Sequence, residues 1–152
     1  MIVAMAELAV HERRSNKFYT TMKETKHICK TNDSVLGLTF DYMHTISLPC
    51  IPVQELFYYS QLSVFPSDTH NLKTDEARQI NTYINDNVLS CVKELHLYSD
   101  ACGGQNKNNC MIRFLLSLTS NNRFDIIIHR FPIRVHSYFA CDRDFALVKC
   151  FC

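Results

Sequence analysis

No charge of one sign dominates this chain. Its 16 Lys and Arg stand against 15 Asp and Glu, a formal net charge of +1. A binder that relies on a basic surface all round is excluded, and any nucleic-acid contact must come from a local patch. Also missing is an uninterrupted apolar run near the roughly 18 residues that a membrane-spanning helix needs. The opening Met-Ile-Val-Ala-Met-Ala-Glu has too short an apolar stretch for a secretory leader, and no basic residues precede it. The expectation is a soluble, intracellular chain with no membrane partner. Nor is there a Cys-x-x-Cys pair. The eight cysteines are scattered at 29, 50, 91, 102, 110, 141, 150 and 152, which reads as reduced core thiols rather than a disulfide framework. Cys150 with Cys152, and His27 with Cys29, come nearest to zinc ligands, but Cys-x-Cys and His-x-Cys match structural zinc spacings poorly. The Gly-x4-Gly-Lys-Ser/Thr string is absent as well, so a P-loop nucleotide site is not supported.

What is present is an ordinary globular composition, 47% hydrophobic and 20% charged over 152 residues. A domain of this size buries about 70% of the surface of its unfolded chain, so one core is the default. Residues 1–30 read as a basic amphipathic helix. Ala4, Leu8, Phe18, Met22 and Cys29 form a stripe, with Arg13, Arg14, Lys17, Lys23 and Lys26 on the remaining surface. That face is either a solvated flank of a packing helix or a nucleic-acid contact. Residues 31–152 then read as the main domain.

Val35 to Phe40 alternates as a strand leading into Asp41. Pro49 and Pro52 break the chain, Val53, Leu56 and Phe57 fit a short helix, and Leu62 to Phe65 fits a second strand. Thr74 followed by Asp75 and Glu76 signals a helix start, continuing to about Ser90 on a stripe of Ala77, Ile80, Ile84, Val88 and Cys91. Glu94 to Ser99 is a strand that stops at Asp100. A helix follows from Asn108 to Leu118, and Phe124 to His129 reads as a strand buried on both faces. Asp142 to Cys150 reads as the last helix. This order is α/β, and right-handed crossovers place the Asp41 and Asp100 strands side by side and parallel.

Open α/β sheets collect ligands at the carboxyl ends of such strands, where both of these strands carry an aspartate. Converging carboxylates can balance divalent cations that activate water and stabilise a leaving oxygen in phosphodiester cleavage, and Mg²⁺ in particular takes oxygen ligands. Aspartates that cap the following turn are the alternative. Gly103, Gly104, Gln105, Asn106 and Lys107 open the helix after Asp100, where free amides suit a phosphate; a tight strand-to-helix turn explains the glycines equally well. His136 can orient a carboxylate or water as a neutral imidazole or serve as a loop hydrogen-bonder. Arg134 and Arg143 can meet phosphates or pair with nearby acids.

The segments Leu38-Thr-Phe-Asp41, Leu97-Tyr-Ser-Asp100-Ala-Cys-Gly-Gly-Gln-Asn-Lys-Asn108 and Phe131-Pro-Ile-Arg-Val-His136-Ser-Tyr-Phe-Ala-Cys-Asp142-Arg-Asp-Phe145 carry a resemblance over most of the chain. They resemble an uncharacterised transposon-associated family with a ribonuclease-H-like, DDE-transposase-like core, common in insects and fish. The resemblance implies a single ribonuclease-H-like domain, a mixed sheet flanked by helices. It also implies a metal-binding catalytic triad of Asp41, Asp100 and Asp142 using Mg²⁺ or Mn²⁺, with Asp144 competing for the third place. DNA is the implied partner and the nucleus the candidate compartment. His136 joins the catalytic group, and Gly103 to Lys107 with Arg134 the substrate contacts.

Two departures stand out. Arg134-Val135-His136 replaces the family's Arg-Gly-His, and Ser67 to Thr74 leads almost directly into a helix, so one hairpin strand is expected to be lacking. With no separate DNA-binding module before Cys152, the chain reads as a fragment or decayed copy. The expected function is a transposase-derived, metal-dependent nuclease or strand-transfer domain. The rival is a catalytically inactive remnant that serves as a nucleic-acid or protein interaction module. A cysteine-rich metal-binding protein is the third reading.

Overall fold

The computed structural model describes residues 2–42, 46–48, 62–64, 67–74, 77–78, 84, 88, 91–133, 139, 141–142 and 144–146. Helix α1 (Ile2–Thr31) ends where the Asn32 N–H closes a last bond to the Ile28 carbonyl at 2.8 Å. The Asn32 carboxamide oxygen then accepts from the Ser34 N–H at 2.9 Å, an Asx turn that reverses the chain into strand β1 (Val35–Tyr42). Strands β2 (Ile46–Leu48) and β3 (Leu62–Val64) pair antiparallel as a separate two-stranded ribbon. Strand β4 (Ser67–Asn71) returns to β1, and β5 (Ala77–Arg78) pairs with β4. Strand β6 (Glu94–Tyr98), helix α2 (Asn109–Ser120) and strand β7 (Ile126–Arg130) complete the element order.

Among the described residues the main sheet has five strands in the order β5-β4-β1-β6-β7. The pairs on the β4 side of β1 are antiparallel, and β1, β6 and β7 run parallel. The fold is thus α/β with a mixed sheet and helices packed against it.

Alternation along β1 divides the core into two layers. Leu36, Leu38 and Phe40 face the same side as Leu95 and Leu97 and pack with Met111 of α2, Ile84, Val92 and Phe124. The opposite face meets α1. A Cβ on Gly37 would lie 2.8 Å from Leu72 Cδ1 and 3.2 Å from both Cys29 Sγ and Thr25 Cγ2, so glycine here sets how closely the helix approaches the sheet. The Thr25 and Tyr98 hydroxyls share a hydrogen bond of 2.7 Å across that interface, and Phe18, Leu72, Tyr98 and Phe139 form its apolar cluster. The stripe expected on α1 is covered at Phe18 and Cys29, whereas Leu8 remains 59% exposed.

Three expectations are corrected. The supposedly lacking hairpin strand is present as β4, which pairs with β1 over five register positions from Leu38↔Asn71 to Tyr42↔Ser67. Its sequence, Ser-Asp-Thr-His-Asn, has little intrinsic strand preference, and pairing on both edges overrides that. A helix beginning at Thr74 is also overturned, because Ala77 and Arg78 pair with His70 and Thr69. The Asn71 carboxamide oxygen accepts from the Lys73 N–H at 2.8 Å, and this Asx turn reverses the chain before any helix. Finally, β7 is not buried on both faces: among the described residues it is the last strand of the sheet, and Ile126 is 51% exposed. The expected short helix at Val53 to Phe57 lies outside the described residues, as does most of the stretch expected to be helical as far as Ser90. No helix among the described residues is long and apolar enough to cross a membrane.

Candidate functional site

The parallel ladder of β1 and β6 runs from Val35↔Glu94 to Thr39↔Tyr98. Asp41 and Asp100 each lie two residues beyond that last pair, so alternation returns both to the face of Thr39 and Tyr98 at the carboxyl edge. Each carboxylate is also used locally. Asp41 Oδ1 accepts from the Tyr42 N–H at 2.8 Å, and Asp100 Oδ1 accepts from the Cys102 N–H at 3.2 Å. Capping and edge placement therefore coexist.

Asp142 enters from a third element. Cys141 and Asp142 begin a helical stretch that includes 144–146, and Asp142 Oδ2 accepts from the Phe139 N–H at 2.8 Å. Burial pushes the Asp41 carboxyl up to about 6, and the negative charges of Asp100 and Asp142 add to the rise, against the hydrogen bond from Tyr42 and the nearby Asn106 amide. Asp41 thus senses both of the other expected acids. Among the described residues, however, no three His, Cys, Asp or Glu side chains are drawn close enough to hold a metal ion. The two facts are compatible, since like charges repel over several ångströms while shared ligation needs a tighter cluster.

A fourth acid, which the sequence reading did not single out, belongs to this edge. Asp68 stands opposite Asp41 in the antiparallel register. Its carboxyl is raised by burial and then by the charge of Asp144. Asp142 therefore acts on Asp41 and Asp144 acts on Asp68, so the two rivals for the third place serve different partners. The signal for Asp68 in the sequence was the register itself, visible only once residues 67–71 are recognised as a strand.

The loop after Asp100 differs from a cradle of free amides. The Cys102 carbonyl accepts from the N–H groups of Gln105, Asn106 and Lys107 at 3.3, 2.9 and 2.9 Å. Helix α2 begins only after Asn108, whose side-chain oxygen accepts from the Met111 N–H at 2.9 Å. Gly103 and Gly104 are exposed, have no positive φ, and would admit a Cβ with nothing within 4 Å. Asn106 is buried, and its Nδ2 donates to Asp100 Oδ1. Lys107 is exposed, with its ammonium 5.6 Å from the centre of the Phe131 ring.

His129 of β7 was likewise not foreseen as a site residue. Its Nε2 is 2.8 Å from the Ser99 hydroxyl, and burial lowers its pKa to about 4, so the imidazole is neutral at ordinary pH. Cys141, whose thiol burial pushes up to about 12, is a core group rather than a nucleophile. Arg134, His136 and Arg143 lie outside the described residues, as do Cys150 and Cys152. Comparison with protein-family models, with curated proteins and with solved structures found no match to this chain.

The donor set fits a hard divalent cation in chemistry. Asp41, Asp100 and Asp142 offer carboxylate oxygens from three separate elements.

Proposed function

We propose that the chain is a ribonuclease-H-like, transposase-derived domain whose carboxyl edge binds Mg²⁺ or Mn²⁺ and acts on DNA phosphodiester bonds. The observation that carries this reading is the equal displacement of Asp41 and Asp100 beyond the Thr39↔Tyr98 pair of adjacent parallel strands, with Asp142 acting electrostatically on Asp41. The strand order, with antiparallel neighbours on one side of β1 and parallel ones on the other, supports the same fold reading.

Asp41, Asp100 and Asp142 would hold the cation, which when bound supplies positive charge to a phosphoryl group in hydrolysis or strand transfer. The chain's own groups then divide the remaining work. Asp41 and Asp100 come from neighbouring strands of one sheet, which limits their relative movement. Lys107, exposed at the loop after Asp100, is the cationic side chain on hand for a phosphate. His129, kept neutral by burial, adds no charge to the edge.

A second reading is an inactive remnant that serves as a nucleic-acid or protein interaction module. It is favoured by the absence, among the described residues, of three acidic side chains at cation-sharing distance. Calorimetric titration with Mg²⁺ and Mn²⁺, comparing the wild-type protein with Asp100→Asn, separates the two. Uptake by the wild type that is lost in the variant supports the cation site and leads to cleavage assays on plasmid DNA. No uptake by either protein, both folded, leaves the interaction module.

A further inference from the structure

Asp41 and Asp100 are like charges at the ends of neighbouring strands, and some group must hold them together when no cation does. Asn106, on the loop after Asp100, acts on both. Its Nδ2 donates to Asp100 Oδ1, and its amide lies near enough to the Asp41 carboxyl to oppose the rise of that group's pKa. The residue is only 1% exposed, so it cannot be a surface contact for a phosphate chain. Its backbone is pinned by the bond from its N–H to the Cys102 carbonyl at 2.9 Å, and the Cys102 N–H returns to the same Asp100 Oδ1 at 3.2 Å.

The other end of the amide gives the orientation its meaning. Asn106 Oδ1 is buried and has no hydrogen-bond partner. A side chain that merely filled space would satisfy whichever end had a partner to hand. Here the donor end serves the Asp100 carboxylate and the acceptor goes without, because turning the amide over would set an oxygen against that anion. An –NH₂ group has two protons, so one can hold Asp100 while the other is offered to Asp41.

We propose that Asn106 is a positioning residue that bridges Asp41 and Asp100 through its Nδ2 group and presets their separation for a cation. This deepens the cation reading of the edge and rests on it only for the cation-dependent measurement below.

The bridge itself is read without metal by NMR of the Asn106 side-chain amide. The expected signature is a pair of protons shifted downfield and protected from solvent exchange, which moves in Asp100→Asn and in Asp41→Asn. An amide at ordinary shifts, exchanging freely and indifferent to both variants, overturns the proposal. Mn²⁺ titration of Asn106→Leu, which keeps the volume and removes the donors, is the second measurement. Affinity about tenfold or more below wild type is expected from loss of a partner behind the ligands, and unchanged affinity overturns the positioning role. Should Asn106→Leu not fold, the amide measurement decides alone, since it needs no change at position 106. Should the wild type take up no Mn²⁺ while the amide shows its signature, the bridge stands and the cation reading falls.

Discussion

Asp41 and Asp68 face each other across the antiparallel register of β1 and β4; burial raises both carboxyls, and a different acid of the segment that follows Phe139 adds to each rise, Asp142 at Asp41 and Asp144 at Asp68. Two residues apart in sequence, Asp142 and Asp144 serve different partners because successive positions on a helical stretch point in different directions.

That division is directly measurable. In Asp142→Asn, removal of a negative neighbour should lower the titration midpoint of Asp41, and in Asp144→Asn it should lower that of Asp68, each with little effect on the other. Side-chain carboxyl carbon shifts followed by NMR against pH report both groups. An equal shift of Asp41 in the two variants would contradict the separation.

The pH dependence of stability should show two opposing contributions. Asp41 titrates at about 6 in the folded chain against the ordinary carboxyl value near 3.9, so the folded state holds the extra proton between these values and stability falls as pH rises through them. His129 titrates at about 4 folded against about 6.5 unfolded, so the unfolded state holds the extra proton and stability falls as pH drops from about 6.5 to 4. Asp68, also raised, adds in the same sense as Asp41, so in urea denaturation the His129 contribution of the wild type should be partly offset over this window. Asp41→Asn should lose stability on acidification. At pH 7.5 it should exceed the wild type by about 1 kcal/mol, a figure discounted from the full shift because the carboxyl is partly exposed.

The approach of α1 to the sheet predicts a sharp penalty at Gly37. A methyl group there would meet Leu72 at 2.8 Å and the side chains of Cys29 and Thr25 at 3.2 Å. Gly37→Ala should destabilise the fold by about 1–3 kcal/mol, the usual range for overpacking. A melting temperature equal to the wild type would show that α1 can retreat freely.

The Tyr98–Thr25 bond tests the same interface by chemistry rather than volume. Tyr98 is fully buried and Thr25 is 3% exposed, so Tyr98→Phe removes a partner that water cannot replace. The Thr25 hydroxyl then has to find another acceptor or go unpaired, and a loss of about 1–2 kcal/mol in chemical denaturation is expected. Thr25→Val/Tyr98→Phe together should cost less than the sum of the two single changes, since they share one bond.

Much of the frame was legible in the residues. Alternation in Val35 to Phe40, the apolar Glu94 to Tyr98 stretch and the periodicity after Asn108 carry their own secondary structure, because burial of one face depends on spacing that is written in the chain. The parallel neighbours β1 and β6, with their aspartates at matching ends, followed from crossover handedness. Ser67–Asn71 was not legible. Polar residues suited to turns form that strand only because β1 and β5 supply backbone partners on either edge, and with it Asp68 entered the acidic edge. Thr74 to Glu76 carried a helix signal that the Asx turn at Asn71 and the pairing of Ala77 and Arg78 overrode.

The sequence by itself determined the α/β order, the two strands that end in acids and the helix that follows the second, since these depend on local pattern and chain connectivity. Only the tertiary structure decided which acids act on Asp41 and Asp68, that β7 is not buried on both faces, and that Asn106 points its donor at the Asp100 carboxylate instead of outward. Those properties depend on distance and dielectric between segments far apart in the chain, and no local spacing encodes them.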